Sequence, residues 1–404
     1  MQNFWEIEGW ENEDHHLSRI KKLPFQRPFP SVSWGEGLFS IRGPRQIGKT
    51  CWIKSILLEK TRQEAKNCFY LSCENLRDHQ DLAELLKSVR NRSWIFLDEI
   101  TFVKDWARAV KHEADAGYVK TLVVTGSDAH DLRQGQERMP GRLRRSAELE
   151  LLPMSFLEFQ AMRRMAAWPE LSREEELELF FRIGGFPIAL AEAGPEGRRP
   201  VETIHLLQKW LAGDFARAGK QELYLREILL ALGVTSSTPI SLQKLAARTQ
   251  IGSHHTAQDY VQLLEDCFVV KPLYSVDPNT GAFQFKKEKK FYFRDPSYYW
   301  LAFDWAGVNP PEETIMMERL AEAVAFESLA RKFQRFGFFS SARSGEVDFF
   351  SHGRWALEVK WSTAVQNLSK AYKDLHLTDK RVWSKSNFLL EWPEGLLKEP
   401  KKPS

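Results

Sequence analysis

Gly43-Pro44-Arg45-Gln46-Ile47-Gly48-Lys49-Thr50 is the stretch that decides how this chain folds. It matches GxxxxGK[ST], the pattern of a phosphate-binding P-loop. An apolar run, Leu38-Phe39-Ser40-Ile41, precedes it, and a helix-forming run from Cys51 to Leu58 follows it. The order predicts strand, loop and helix. Glycines allow successive backbone N–H groups to turn toward one anion, and the helix N-terminus adds its positive end. Residues Gly43, Pro44, Arg45, Gln46, Ile47, Gly48, Lys49, Thr50 and Cys51 are therefore expected to cradle the phosphates of ATP. Lys49 supplies a point charge for the β and γ phosphates, and Thr50 offers a hydroxyl to Mg2+.

A second signal lies fifty residues on. Ser93-Trp94-Ile95-Phe96-Leu97-Asp98-Glu99 is an apolar strand that ends in two carboxylates. Ligands sit at the carboxyl edge of strands in open α/β sheets. Asp98 is expected to hold Mg2+ and Glu99 to orient the attacking water as general base. Leu122-Val123-Val124-Thr125 predicts another strand, ending in Gly126-Ser127. The Ser127 hydroxyl reads either as a sensor of the γ-phosphate or as a helix cap. Arginines then crowd at Arg133, Arg138, Arg142, Arg144 and Arg145. Arg142 follows Met139-Pro140-Gly141 and is a candidate arginine finger; an ordinary surface arginine is the alternative.

Working outward, strand candidates at Leu38–Arg42, Cys68–Ser72, Trp94–Asp98, Thr121–Thr125 and Leu149–Leu152 alternate with helical stretches. That alternation predicts an α/β parallel sheet with helices on both faces. The expected organisation is an irregular lead-in (1–36), an ATPase core (37–152), a helical lid (153–230), a winged helix with its wing or linker (231–300) and a nuclease-like α/β domain (301–395). The winged helix rests on a helix-turn-helix pattern across Ser241–Cys267, followed by Phe268-Val269-Val270. The second helix begins His254, His255, Gln258, Asp259 on its exposed side and lacks basic residues, which argues for packing or regulation over groove reading. Lys286-Lys287-Glu288-Lys289-Lys290 reads as the better electrostatic footprint.

Near the C-terminus, Glu346–Phe350 and Trp355–Trp361 predict adjacent strands. Side chains alternate faces along a strand, so Glu358 and Lys360 share one face and Asp348 can lie opposite. The result is D…ExK, the core of PD-(D/E)xK nucleases, whose carboxylates hold Mg2+ while the lysine activates water. A long helix over 312–336 precedes them. It carries Glu322 on the apolar stripe of Phe326, Leu329, Phe333 and Phe336, where a carboxylate needs a partner; Glu327 lies off that stripe.

Together, Gly43–Thr50, Phe96-Leu97-Asp98-Glu99-Ile100, Thr125-Gly126-Ser127, Pro153–Phe159 and Gly184-Gly185-Phe186-Pro187 resemble the prokaryotic AAA-type ATPases with a C-terminal domain of unknown function. The resemblance implies a winged helix joined to a restriction-endonuclease-like fold. It also implies a polar γ-phosphate sensor near Ser127 and a glutamate near Glu322 in the nuclease-like site.

Composition bounds the rest. A net charge of +3 over 404 residues does not by itself call for nucleic acid or a membrane. Four cysteines, Cys51, Cys68, Cys73 and Cys267, show no CxxC or zinc spacing, which fits a reducing compartment. No apolar run is long enough to span a bilayer, and the N-terminus lacks a basic and apolar leader, so the expected location is cytoplasmic. Three functions are open at this point. One is an ATPase whose nucleotide state controls the C-terminal region. Another is a metal-dependent DNA endonuclease gated by ATP, with a defence role. The third is a non-catalytic, nucleotide-gated switch that binds a protein partner or DNA; a protein partner or a homo-oligomer fits any of the three.

Overall fold

The computed structural model describes residues 3–118, 120–126, 132, 146–341, 343–362, 368–377 and 379–388. The chain divides into two compact units. The first comprises Met1–Trp168 with Phe186–Ala191 and Asp266–Phe268; the second comprises Pro169–Gly185, Glu192–Glu265 and Val269–Ser404. Among the described residues no helix is long and apolar enough to cross a membrane.

The first unit is built on five parallel strands: β1 (Gly37–Arg42), β2 (Cys68–Ser72), β3 (Trp94–Asp98), β4 (Thr121–Thr125) and β5 (Ser146–Glu150). Their spatial order is β2-β3-β4-β1-β5. β1 and β4 are buried along their whole length. Burial on both faces is the mark of a parallel sheet covered on each side, and it explains why these strands read as continuous apolar runs rather than alternating ones. The helix Lys49–Glu64 packs on β2, β3 and β4. Leu82 and Leu86 of the helix His79–Ser88 join Trp106 and Val110 of the helix Trp106–Asp115 in one core with Ile95, Leu97, Leu122 and Val124.

The lead-in is more regular than expected, with short helices at Trp10–Glu13 and His15–Lys21. Asp14 explains the second: its carboxylate accepts the backbone N–H groups of His16 and Leu17, both at 3.0 Å. The same carboxylate pairs with Lys54 of the P-loop helix at 2.5 Å, both side chains being 9% exposed. The lead-in is thereby tied to the sheet, and Trp5 adds edge contacts to Phe69 and Tyr70 of β2.

The second unit begins with helices Arg173–Ile183, Val201–Arg217 and Glu222–Val234. They pack around the helix Pro296–Ala306. This last helix was expected in part as wing or linker. It is apolar nearly all round, with Tyr298, Tyr299, Leu301, Ala302, Phe303 and Trp305 buried, so it carries no amphipathic stripe to betray it. Between them come helices Leu242–Ala246 and His254–Asp266 and an antiparallel pair, β6 (Val270–Tyr274) with β7 (Lys289–Phe293). The chain turns at Asn279-Thr280-Gly281: Asp277 accepts the N–H groups of Asn279 and Thr280, and Gly281 has φ +72°.

A four-stranded sheet completes the unit, in the order β11-β10-β9-β8, where β8 is Gly337–Ser341, β9 Gly345–Ser351, β10 Trp355–Lys360 and β11 Asp379–Ser384. β8, β9 and β10 run antiparallel, and β11 lies parallel to β10. The helix before them spans Glu313–Ala330, shorter than expected; Phe333 and Phe336 lie past its end yet remain buried. It packs on β10, while the short helix Lys370–Lys373 packs on β9.

Gly184-Gly185 finds its reason here. Gly184 has φ +83° and ψ −175°, a region open essentially to glycine alone. A Cβ at that point would stand 2.1 Å from Ser297 Oγ and 2.3 Å from Asp295 Oδ1. Gly185 donates its N–H to Asp295 at 2.7 Å, and Asp295 also caps the helix Pro296–Ala306 through Ser297 N–H at 2.9 Å. Gly184→Ala combines strain with a clash and is expected to cost about 2 kcal/mol or more. Urea unfolding of the full chain measures it; an unchanged midpoint for the second unit would contradict this account.

Candidate functional site

Strand order brings the P-loop and the acidic strand to one edge. β1 leads into the loop, β3 ends in Asp98, and β4 lies between them. The loop backbone has the turns its sequence predicts. Gly43 has φ +153°, Gln46 +58° and Gly48 +103°, and the helix Lys49–Glu64 starts directly after. Gly43 cannot be any other residue without rebuilding the loop, because its Cβ would stand 2.1 Å from the carbonyl oxygen of Leu151. Lys49 is 6% exposed, and its ammonium donates to the carbonyls of Gly43 and Pro44 at 2.9 Å each. The charge thus lies along the inside of the loop.

Asp98 is 2% exposed. Its Oδ2 accepts the Tyr70 hydroxyl at 3.1 Å, and its Oδ1 accepts a short hydrogen bond from Thr125 Oγ1. Register explains both contacts. Tyr70 of β2 pairs with Phe96, two residues before Asp98 and on the same face. Thr125 lies one rung past the Leu97–Val124 pair of β3 and β4. Burial, followed by the nearby Asp98 charge, pushes the Tyr70 hydroxyl far above its ordinary range, so it stays protonated and donates.

Glu99 follows in the left-handed region, φ +54°, with its N–H donated to Thr125 Oγ1 at 3.1 Å. A side chain held there costs about 1–2 kcal/mol, and such strain concentrates at functional positions. Gly126 leaves room for Thr101, whose Cγ2 would be 2.5 Å from a Cβ. Ser127, Arg142 and the arginines at 133, 138, 144 and 145 lie outside the described residues. Tyr70 and Thr125 were not singled out from sequence. Thr125 was within reach, as the last residue of a strand expected at the site; Tyr70 was not, because its role depends on which strand pairs with β3.

The residues are chemically suited to a nucleotide and its Mg2+: a glycine-shaped anion cradle, a lysine inside it, a hydroxyl at Thr50 and a buried carboxylate two strands away, beyond β4.

The D…ExK residues form a second cluster, inside the second unit. β9 and β10 pair through Leu357↔Phe349, so Asp348 and Glu358 face each other one rung on. Lys360 lies 3.0 Å from Glu358 Oε2 and 3.9 Å from Asp348 Oδ2. Glu322 does not stand with these as a ligand. It binds Lys290 at 2.9 Å and the Tyr292 hydroxyl at 2.5 Å. Lys290 also reaches Glu346 at 2.5 Å and Asp348 at 3.6 Å. The set expected to hold a metal, Glu322, Asp348, Glu358 and Lys360, thus has Lys290 in its midst, and among the described residues no three His, Cys, Asp or Glu side chains are arranged to hold a metal ion. Lys290 likewise leaves the surface footprint, since its side chain is 1% exposed. Glu327 forms a buried ion pair with Arg294 at 3.0 and 3.1 Å and another with Arg331 at 3.0 Å.

The comparisons follow this division. Residues 36–160 match the family described as an AAA domain, and residues 174–306 match a domain of unknown function (DUF8612). An uncharacterized protein of Haemophilus influenzae is 25% identical over 367 residues, 86% of each chain. Another, of Methanocaldococcus jannaschii, is 27% identical over 277 residues, covering 61% of this chain and 58% of its own. A Walker-type ATPase of Pyrococcus abyssi superposes with a TM-score of 0.44 at 13% identity, over 73% of this chain and 95% of that one. The Thermotoga maritima RuvB Holliday junction branch migration motor gives 0.32 at 17%, over 58% and 81%. The family match and the loop geometry agree: residues 36–160 are similar to AAA domains and carry a P-loop.

Burial, then the neighbouring Asp348 charge, pushes Glu358 up to about 7, while Lys360 pulls it back. A folded-state value above the unfolded one means the folded chain holds the extra proton between the two. Stability from this group is therefore full below about pH 4.5 and is lost as pH rises through about 7. Glu358→Gln keeps the neutral form at every pH. Urea midpoints are expected to fall from pH 5 to pH 8 for the native chain and to fall less for the variant. Equal falls would refute the assignment.

Proposed function

We propose that this chain is a Mg2+-dependent ATPase of the AAA type, whose nucleotide state controls the C-terminal region. The observation that supports it most directly is the shared edge: Lys49 inside a left-handed glycine loop, and Asp98 and Glu99 at the end of β3, two places away beyond β4. The loop N–H groups and Lys49 hold the β and γ phosphates. Thr50 and Asp98 hold Mg2+, which when bound screens the phosphate charge. Glu99 orients a water toward the γ-phosphorus and takes its proton as the bond to the β–γ bridging oxygen breaks, giving ADP and inorganic phosphate. Tyr70 and Thr125 fix the Asp98 carboxylate in one orientation. Arg142 is retained as the candidate finger and Ser127 as the candidate sensor.

Within the second unit, we read the helices Leu242–Ala246 and His254–Asp266 with β6 and β7 as a winged helix. Helix Glu313–Ala330 with β8 to β11 is read as a nuclease-like fold. A second reading, DNA cleavage at Asp348, Glu358 and Lys360, has one observation in its favour: Lys360 bridges both carboxylates. Lys290 stands against it.

Lys49→Ala is expected to lower ATP turnover by about a hundredfold or more, with loss of nucleotide binding. Glu99→Gln is expected to keep binding and lower turnover by about 10²–10⁴. Phosphate release and fluorescent-nucleotide titration separate the two effects; turnover unchanged in both variants would sink the proposal. For the control reading, hydrogen exchange of residues 231–388 should change on adding ATP to the Glu99→Gln chain and stay unchanged in Lys49→Ala. No change in either chain would leave the ATPase without an effect on that region.

A further inference from the structure

Four acidic side chains meet in the second unit: Glu322 from a helix, Glu346 and Asp348 from β9, and Glu358 from β10. Their side chains are 13%, 28%, 10% and 2% exposed. Carboxylates withdrawn from water this far need compensating cations or protons. A divalent metal is the usual answer in a D…ExK setting. Here the cation is part of the chain. Lys290 enters from β7, and its ammonium is within 2.9 Å of Glu322, 2.5 Å of Glu346 and 3.6 Å of Asp348.

At least one oxygen of each carboxylate is already engaged, Glu346 giving Oε1 to Lys290. Asp348 presents Oδ1 to Lys290, and its Oδ2 accepts the backbone N–H of Val359 at 2.9 Å. Glu322 Oε1 takes both Lys290 and the Tyr292 hydroxyl. Glu358 gives Oε2 to Lys360 at 3.0 Å. Its Oε1 alone is buried without a hydrogen-bond partner. A hard divalent cation entering here would have to share oxygens that already face an ammonium of the chain, or displace that ammonium.

We infer that Lys290 is the built-in counter-cation of this cluster, holding the place that a divalent metal ion would otherwise take. The consequence concerns ligand class. In the folded state described here the carboxylates bind an ammonium of their own chain, and a divalent ion enters only when Lys290 is withdrawn. Lys290 is anchored by the β6–β7 pairing, in which it stands opposite Leu273, and it lies over the Phe338 ring at 5.5 Å. Its side chain is 1% exposed, so withdrawing the ammonium means disturbing the packing around it. The inference is independent of the ATPase proposal and opposes the DNA-cleavage reading.

Mn2+ binding to the full chain without nucleotide, followed by electron paramagnetic resonance, tests it. The native chain and Asp348→Asn are expected to bind Mn2+ equally. Lys290→Met is expected to gain one site per chain, tighter by roughly tenfold or more than any in the native chain. The double variant Lys290→Met with Asp348→Asn should lose that site. A native-chain Mn2+ site abolished by Asp348→Asn overturns the inference, and so does a folded Lys290→Met chain that gains none. Should Lys290→Met fail to fold by circular dichroism, the comparison of native chain with Asp348→Asn decides alone. DNA cleavage by the native chain with Mn2+, lost in Lys360→Ala, also overturns it.

Discussion

Asp98 sits at the end of an apolar strand with 2% of its surface exposed, and much of the first unit follows from what that requires. The effective cost of burying an ionised carboxylate is several kcal/mol unless donors surround it. Tyr70 and Thr125 supply two, and each can do so only in this sheet. Tyr70 reaches because β2 lies parallel and in register beside β3; Thr125 reaches because β4 lies on the other side. With β4 placed there, β1 and its loop fall one strand further on, and Lys49 comes to the same edge as Asp98. The order β2-β3-β4-β1-β5 is thus the order in which a buried carboxylate, its hydroxyl donors and an anion cradle share one end of a sheet.

The second unit meets the same constraint differently. Its carboxylates are more numerous and are answered by ammonium groups, Lys290 and Lys360, with Tyr292 as a hydroxyl donor. Two lysines do not neutralise four carboxylates, and burial with the neighbouring Asp348 charge pushes Glu358 up to about 7. A cluster balanced in this way stabilises one packing of β7, β9, β10 and the helix Glu313–Ala330. The two units therefore hold chemically distinct sites: one shaped by backbone N–H groups for an anion, one filled by side-chain cations.

Legibility in the sequence tracked how local each feature was. The P-loop was readable because its eight residues carry both the turn and the chemistry, and Asp98-Glu99 because an apolar run delivers them to a strand end. D…ExK was readable as an alternation of faces, and the approach of Lys360 to Glu358 follows from it. The helix Pro296–Ala306 was not, since a helix buried on every side shows no period. Lys290 was misread as surface charge because it sits among four other charged residues. Only β7, buried from Lys290 to Phe293, separates it from Lys286 and Lys287.

What the sequence determined alone is the phosphate cradle, the acidic strand and the alternation that makes a parallel sheet, all set within a few residues by glycine freedom and apolar periodicity. What the tertiary structure decided is which groups answer the buried charges. Tyr70 and Thr125 hold Asp98, Lys290 fills the carboxylate cluster, and Asp295 accepts Gly185 N–H across 110 residues of chain. Each of these depends on strand order and helix packing that no short segment encodes. A buried charge constrains its partner by distance in space, and the sequence records only distance along the chain.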